Sequence, residues 1–285
     1  MSATLRGSGQ AGTTDPPVPP GVDPAVPSPA RLYDYLLGGT HNFAADRAAA
    51  RRILAVLPEA SDGAWANRAF HQRAARWLAE QGVGQFIDIG SGLPMASSTH
   101  GIVRRVAPPA RVVYVDIDPM VASMSDEFLD GVGGAAHITA DLRDPQTVLG
   151  HPDLRALIDF AEPVGLLMTA VMHFVAPAAD PWGLVARYVG ALPPGGYLVL
   201  SHGTADLLPP RAVEVSREEF ARATENIFLR PRAQVERFFR GLDLIPPYNQ
   251  AAPGICYVGQ WGAEDPGLAD SDGSRVLYGG VGRRP

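Results

Sequence analysis

Hydrophobic and polar positions along this chain follow two periods, and the change between them near residue 85 divides it. Before that point the spacing is helical. Stretches at about Ala30–Leu37, Ala44–Ala55 and Gly63–Gln81 place apolar residues on one side. The first has a start signal, with Ser28 as cap and Pro29 in the first helical position, and a stop at Gly38-Gly39. The second stops before Pro58 and the third at Gly82. After Gln85 come short apolar runs separated by helical stretches. Strands are predicted at 86–90, 111–116, 136–141, 164–172 and 196–201, with closing strands near 256–261 and 275–281. Helices are predicted from the first glycine turn to about Val106, at Met120–Leu129, at about Arg217–Phe228 and at Arg232–Arg240. Apolar strands alternating with helices predict a doubly wound, mostly parallel α/β sheet covered on both faces.

Residues 1–28 are rich in proline and glycine and almost free of large apolar side chains. Such a segment buries too little surface to offset its ordering entropy, so it is predicted to be a disordered arm. The expected organisation is therefore an arm (1–28), a helical cap (29–84) and a Rossmann-like domain (85–285) carrying a helical insertion near 203–230, placed where a lid would be.

Composition narrows the chemistry. All 24 basic residues are arginine, which excludes a lysine Schiff base and a P-loop lysine and suggests a GC-rich bacterial genome. A net charge of −6 without a basic run argues against nucleic acid as a partner. No apolar run is long enough to span a bilayer, and the N-terminus lacks a signal-peptide pattern. The single cysteine, Cys256, lies in an apolar stretch and reads as a strand residue; one thiol fits a reducing cytoplasm. The seven histidines show no metal-binding spacing, so no metal is expected.

In an open parallel sheet, ligands bind beyond the carboxyl ends of the strands. The first strand ends in Asp88-Ile89-Gly90-Ser91-Gly92, where glycines let a ligand approach the backbone; Met95 replaces the third glycine of the dinucleotide fingerprint. The second ends at Asp116-Ile117-Asp118, a carboxylate suited to ribose hydroxyls. The third ends at Asp141-Leu142, suited to an adenine amino group. Each acid alone also fits a helix cap or turn; three on successive strands point to an adenosyl ligand.

These segments, with Leu192-Pro193-Pro194-Gly195-Gly196-Tyr197-Leu198, resemble the motifs of class I S-adenosylmethionine-dependent methyltransferases. More narrowly, Ala30-Arg31-Leu32-Tyr33-Asp34-Tyr35-Leu36-Leu37-Gly38-Gly39, Asn42-Phe43-Ala44-Ala45-Asp46-Arg47 and His173-Phe174-Val175 resemble an actinobacterial methyltransferase family long described only as a domain of unknown function. The resemblance runs from about Pro29 to Arg284. It implies a seven-stranded sheet with a reversed last strand and S-adenosylmethionine as cofactor, and it implies no particular acceptor.

The N-terminal motif, through Tyr33, Gly39 and Asn42, is expected to close over the cofactor; the alternative is a helix stop and a cap. His173 and His202, near the ends of the fourth and fifth strands, are the candidate bases, His173 first. The function expected is methyl transfer to a small molecule, with a homodimer as one possible assembly. The alternative is an inactive cofactor-binding or sensor domain acting through protein contacts; a nicotinamide dehydrogenase is disfavoured by the missing glycine.

Overall fold

The computed structural model describes residues 15–95 and 97–285. Three helices come first: α1 (Pro29–Leu36), α2 (Ala44–Leu54) and α3 (Ala60–Glu80). Then follow β1 (Gln85–Ile89), α4 (Thr99–Val103), β2 (Arg111–Asp116), α5 (Pro119–Phe128) and β3 (Ala135–Thr139). Two short helices, α6 (Pro145–Gly150) and α7 (Pro152–Leu157), precede β4 (Gly165–Thr169), α8 (Pro181–Ala191) and β5 (Tyr197–Gly203). The chain closes with α9 (Pro210–Phe220), α10 (Arg232–Glu236), β6 (Asp243–Leu244), β7 (Cys256–Tyr257) and β8 (Leu277–Arg283).

The strands form one sheet in the order β3-β2-β1-β4-β5-β8-β6. Neighbours from β3 through β5 are parallel, and β8 runs antiparallel to β5. This is the expected seven-position path with a reversed last strand. An eighth, two-residue strand, β7, pairs with β8 at Cys256–Gly279 and Tyr257–Tyr278, so β6 and β7 share its outer edge.

Alternation along the strands separates two apolar layers. Ile87, Ile89, Leu166, Met168, Leu198 and Leu200 pack with Leu184, Val185 and Tyr188 of α8. Phe86, Leu167, Tyr197 and Val199 pack with Phe70, Ala74, Ala75 and Leu78 of α3 on the other face. The longest helix of the cap thus belongs to the core. Cys256 is buried and burial pushes its thiol up to about 12, as befits a packed strand residue.

Several boundaries differ from the sequence reading. The helix after β1 is only Thr99–Val103: Pro94 disfavours helix at the residue before it, and Ser98 holds the N-cap position without a side-chain cap bond. The fourth strand stops at Thr169, since Ala170 turns left-handed at φ 54°, and His173 lies on a 3-10 turn, Met172–Phe174. The insertion helix begins at Pro210, seven residues earlier than expected, with proline in its first position.

The disordered arm needs the largest correction. Residues 1–14 lie outside the described residues, but 15–28 are placed by specific contacts. Ser28 is fully buried and caps α1 as expected. Its N–H donates to Asp46 Oδ1 (3.0 Å) and its Oγ to Asp118 Oδ2 (2.5 Å). Arg31 donates from Nε to Asp46 Oδ2 (2.8 Å) and from Nη2 to the Val26 carbonyl (2.5 Å). Composition misled because these residues supply backbone groups to partners elsewhere and bury little of themselves.

Asp46 is 0% exposed and also accepts the Phe43 N–H (2.8 Å). Its removal strands a buried guanidinium and two buried N–H groups. Asp46→Ala is expected to cost about 3–5 kcal/mol in urea unfolding, as for a buried ion pair broken on one side; a loss below 1 kcal/mol would contradict this role.

Candidate active site

The carboxyl ends of β1–β5 open into a cavity of about 610 Å³, roofed by the cap, the 15–28 segment and the insertion. That volume lies within the usual range for small-molecule sites. Its lining includes Tyr33, Asp88, Gly90, Ser91, Gly92, Asp116, Ile117, Asp118, Asp141, Leu142 and His173. Of the residues singled out from the sequence, Gly39, Asn42 and His202 do not line it.

The glycine turn is held by its neighbours. Gly90 (φ 69°) donates to the Val115 carbonyl, and a Cβ there would collide with Val171. Gly92 (φ 65°) has open space where a Cβ would stand, so backbone is presented to the cavity. Ser91 Oγ is buried without a protein partner. Asp116 accepts the Gly92 N–H on Oδ2 (2.8 Å) and the Asp118 N–H on Oδ1 (3.0 Å). A carboxylate has roughly four acceptor positions, so about two remain for donors of a ligand. Asp118 caps α5 through Met120 N–H and takes the Ser28 hydroxyl. Ile117 is 47% exposed on the cavity wall. Asp141 is gripped by Arg143 (2.8 and 2.9 Å), which also reaches Glu225 of the insertion (2.9 Å), closing a clasp across the rim. This donor and acceptor set, with its glycine cradle, fits an adenosyl cofactor.

The N-terminal motif divides between lining and scaffold. Tyr33 lines the cavity; its hydroxyl donates to the Ala64 carbonyl and accepts from Asn67 Nδ2, both at 2.9 Å. Burial raises its pKa. Asn42 instead donates to Asp34 Oδ2 (2.8 Å) and the Gly39 carbonyl (3.0 Å). At Gly39 a Cβ would collide with the Asp34 carboxyl. These two residues build the turn between α1 and α2, and the N-cap position of α2 belongs to Phe43 and not to Asn42.

Neither histidine presents a free basic nitrogen. His173 Nδ1 accepts the Gly203 N–H (3.1 Å), which leaves its proton on Nε2. Burial, then Arg230, lowers its pKa to about 3. His202 is fully buried; its Nδ1 faces the Gly203 carbonyl (2.8 Å), its Nε2 takes a bond from Arg230 (2.8 Å), and its ring stacks on Phe238. Arg230, with no carboxylate partner among the described residues, is held by the Met172 and Val175 carbonyls.

Sequence reasoning missed the face of α3. Asn67, Arg68 and His71 all reach the cavity. Asn67 and His71 are four residues apart, and both are buried on a helix face that is otherwise apolar. Polar residues recurring on that apolar stripe were the available signal. Arg68 bonds the Ser97 carbonyl and Oγ, and its Nε is buried without a partner among the described residues.

The cavity is divided by charge along the sheet. Asp88, Asp116, Asp118, Asp141 and Arg143 belong to the β1–β3 half, with Arg31 and Asp23 beside Asp118, Arg68 over the glycine turn and Glu225 clasped at its rim. The half at β4, β5 and β8 is lined by Phe174 after β4, Phe220 against it, Leu229 against Gly203 and Leu277 of β8, with no charged side chain among these residues. Among those residues no cluster of His, Cys, Asp and Glu is arranged to hold a metal, and no helix is long and apolar enough to cross a membrane.

Burial raises both Asp88 and Asp116 to about 6. Their unfolded value is roughly 4. The folded state therefore binds more protons between pH 4 and 6, and their contribution to stability falls as pH rises through that window. The buried histidines, depressed below 6.5, act in the opposite direction. Subtraction of a variant isolates one acid. Between pH 4 and 7.5, Asp116→Asn is expected to gain about 2 kcal/mol relative to the parent in urea unfolding. A difference independent of pH would place Asp116 in a solvated environment.

A family described as S-adenosyl methyltransferase matches residues 17–285. A protein from Thermobifida fusca YX, described as a candidate methyltransferase, is 37% identical, with a TM-score of 0.85 over 93% of this chain and 97% of its own. A DUF574 family protein from Streptomyces avermitilis MA-4680 is 38% identical, with a TM-score of 0.84 over 91% of this chain and 98% of its own. No curated protein matches the chain in sequence. With the family match spanning almost the whole chain and the strand-end acids in their expected order, the chain belongs to the S-adenosyl methyltransferase family, and its cofactor is S-adenosylmethionine.

Proposed function

We propose that this protein methylates an uncharged, largely apolar small molecule. The observation that carries the reading is the division of the cavity: charged groups gather where an adenosyl cofactor is expected, and the adjoining half is apolar and neutral. Burying an unpaired ion there would be costly, so a neutral acceptor is favoured. S-adenosylmethionine supplies a methyl already activated on a sulfonium, so the protein's work is alignment, exclusion of water and disposal of a proton.

In this reading Asp116 takes the ribose hydroxyls, and Ile117 covers one face of the adenine. Asp141 and the backbone of Leu142 read the adenine edge. Gly90, Ser91 and Gly92 admit the methionine end against the backbone, where the unpartnered Nε of Arg68 offers a charged donor for its carboxylate. Tyr33 walls the site from the cap. His173 serves as an Nε2–H donor, because Gly203 occupies its other nitrogen. His202, through Arg230 and Gly203, supports the turn that carries it.

Two measurements bear on this reading. In calorimetric titration with S-adenosylmethionine and S-adenosylhomocysteine, Asp116→Ala is expected to weaken both by about 1.5–3 kcal/mol, roughly 10- to 150-fold. Unchanged affinity would remove Asp116 from the ribose station. With methyl-labelled cofactor, a panel of neutral phenols and alcohols should accept label ahead of matched carboxylic acids; preference for the anions would overturn the acceptor assignment.

A further inference from the structure

Four side chains in the cavity wall form one hydrogen-bonded row. Thr169, the last residue of β4, lies 2.9 Å from His71 Nδ1 through its Oγ1. His71 Nε2 lies 2.8 Å from Thr99 Oγ1, and Thr99 donates to Asp88 Oδ2 at 2.6 Å. Thr169, His71 and Asp88 line the cavity; His71, Thr99 and Asp88 are buried, at 3%, 1% and 4% exposure, and Thr169, only partly buried, is the most open of the four.

The polarity of this row follows from its far end. A carboxylate only accepts, so the single Thr99 proton points to Asp88. Thr99 must then accept from His71, which places the His71 proton on Nε2. A neutral ring with Nε2–H has a bare Nδ1, so Thr169 donates its hydroxyl proton inward. The lone pairs of Thr169 are left for whatever occupies the cavity. The residue also stands where the charged half meets the neutral half, since β4 pairs with β1 on one side and β5 on the other.

We propose that Thr169 accepts the O–H or N–H proton of the methyl acceptor, and that His71, Thr99 and Asp88 form the relay that carries this proton away. The proposal rests on the methyltransferase reading above. As the acceptor heteroatom forms its bond to the methyl carbon, the C–S electron pair stays on sulfur. The acceptor proton passes to Thr169 Oγ1, the Thr169 proton to His71 Nδ1, the Nε2 proton to Thr99, and the Thr99 proton to Asp88. One O–H or N–H bond of the acceptor is broken, one carboxyl O–H bond is made, and each group between gives one proton and takes one. Thr169 touches the acceptor; the other three act through it.

The surroundings suit this passage. His71 has its pKa lowered to about 3, by burial first and then by Arg68, so it hands a proton on and does not hold one. Asp88, raised to about 6 by burial against the opposing bond from Thr99 and the charge of Arg68, is ionised at neutral pH and able to receive it. The groups facing Asp88 are His71 and Arg68 of α3, Thr99 of α4 and Tyr114 of β2; Arg68 is the one permanent charge among them.

The test begins with the ring nitrogens of His71, followed by ¹⁵N NMR in the full-length protein and assigned by the signal lost in His71→Gln. At pH 7.5 the expected state is neutral, with the proton on Nε2. Asp88→Asn removes the obligatory acceptor and should give a mixture of both tautomers. A proton on Nδ1 in the parent protein, or a charged ring at pH 7.5, would overturn the relay. If His71→Gln does not fold, Thr99→Val supplies the assignment by shifting the same signal.

The second measurement is calorimetric titration of Thr169→Val with S-adenosylmethionine, with Thr169→Ser as the variant that keeps the hydroxyl. Affinity within about twofold of the parent is expected for both, because Thr169 serves the acceptor. A tenfold loss in Thr169→Val restored in Thr169→Ser would assign the hydroxyl to the cofactor and overturn the proposal. Absence of binding by the parent protein would count against the methyltransferase reading, while the tautomer of His71 would still decide the polarity of the row.

Discussion

The cavity exists because one buried carboxylate gathers the N-terminal part of the chain. Asp46 receives donors from Ser28, Arg31 and Phe43, which belong to three different turns of the backbone. Arg31 extends the same centre to the carbonyls of Asp23 and Val26, and Ser28 extends it to Asp118 after β2. The 15–28 segment, the cap and the end of β2 are thereby joined at a single point. Burying a carboxylate and a guanidinium is unfavourable unless each is fully paired. Here the pairing draws on backbone groups of the very segment that has to be held down.

The same economy governs the sheet ends. Acids placed there meet the backbone first: Asp116 holds Gly92 and Asp118, Asp118 caps α5, and Asp144 caps α6. What is left of their acceptor capacity faces the cavity. Desolvation pushes Asp88 and Asp116 upward, so a donor arriving from a ligand relieves a cost the fold already bears. The neutral half has no such acids, and its polar groups, such as Asn67 and His173, are engaged with one another's neighbourhoods through Tyr33, Ser201 and Gly203.

The sheet and the glycines and acids at its strand ends were legible because they follow short-range rules: a strand's period, a glycine turn after it, an acid at its end. Thr169, Asn67 and His71 were not, because their meaning arises from partners across the fold. His71 and Thr99 are 28 residues apart, and Asn67 and Ser201 are 134 apart. His173 and His202 were found by position but not by state, since the groups that bind their nitrogens, Gly203 N–H and Arg230, leave no periodic trace. The helices α6, α7 and α8 had local signals that went unread: each has proline in its first position behind a capping Asp144, His151 or Asp180. The 15–28 segment shows the reverse failure, where composition predicted disorder and a few backbone contacts outweighed it.

The clasp of Arg143 with Asp141 and Glu225 has a kinetic meaning. All three side chains are substantially exposed, between 26% and 39%, and ion pairs of that kind are worth about 1 kcal/mol or less in water. A closure this weak opens on thermal motion alone and is screened by salt. It sets the resting position of the insertion over the cavity rim at Asp141 without retaining anything beneath it. A spent cofactor would leave through a door that is aligned and not locked, and the time it remains bound would be governed by its contacts with the strand ends.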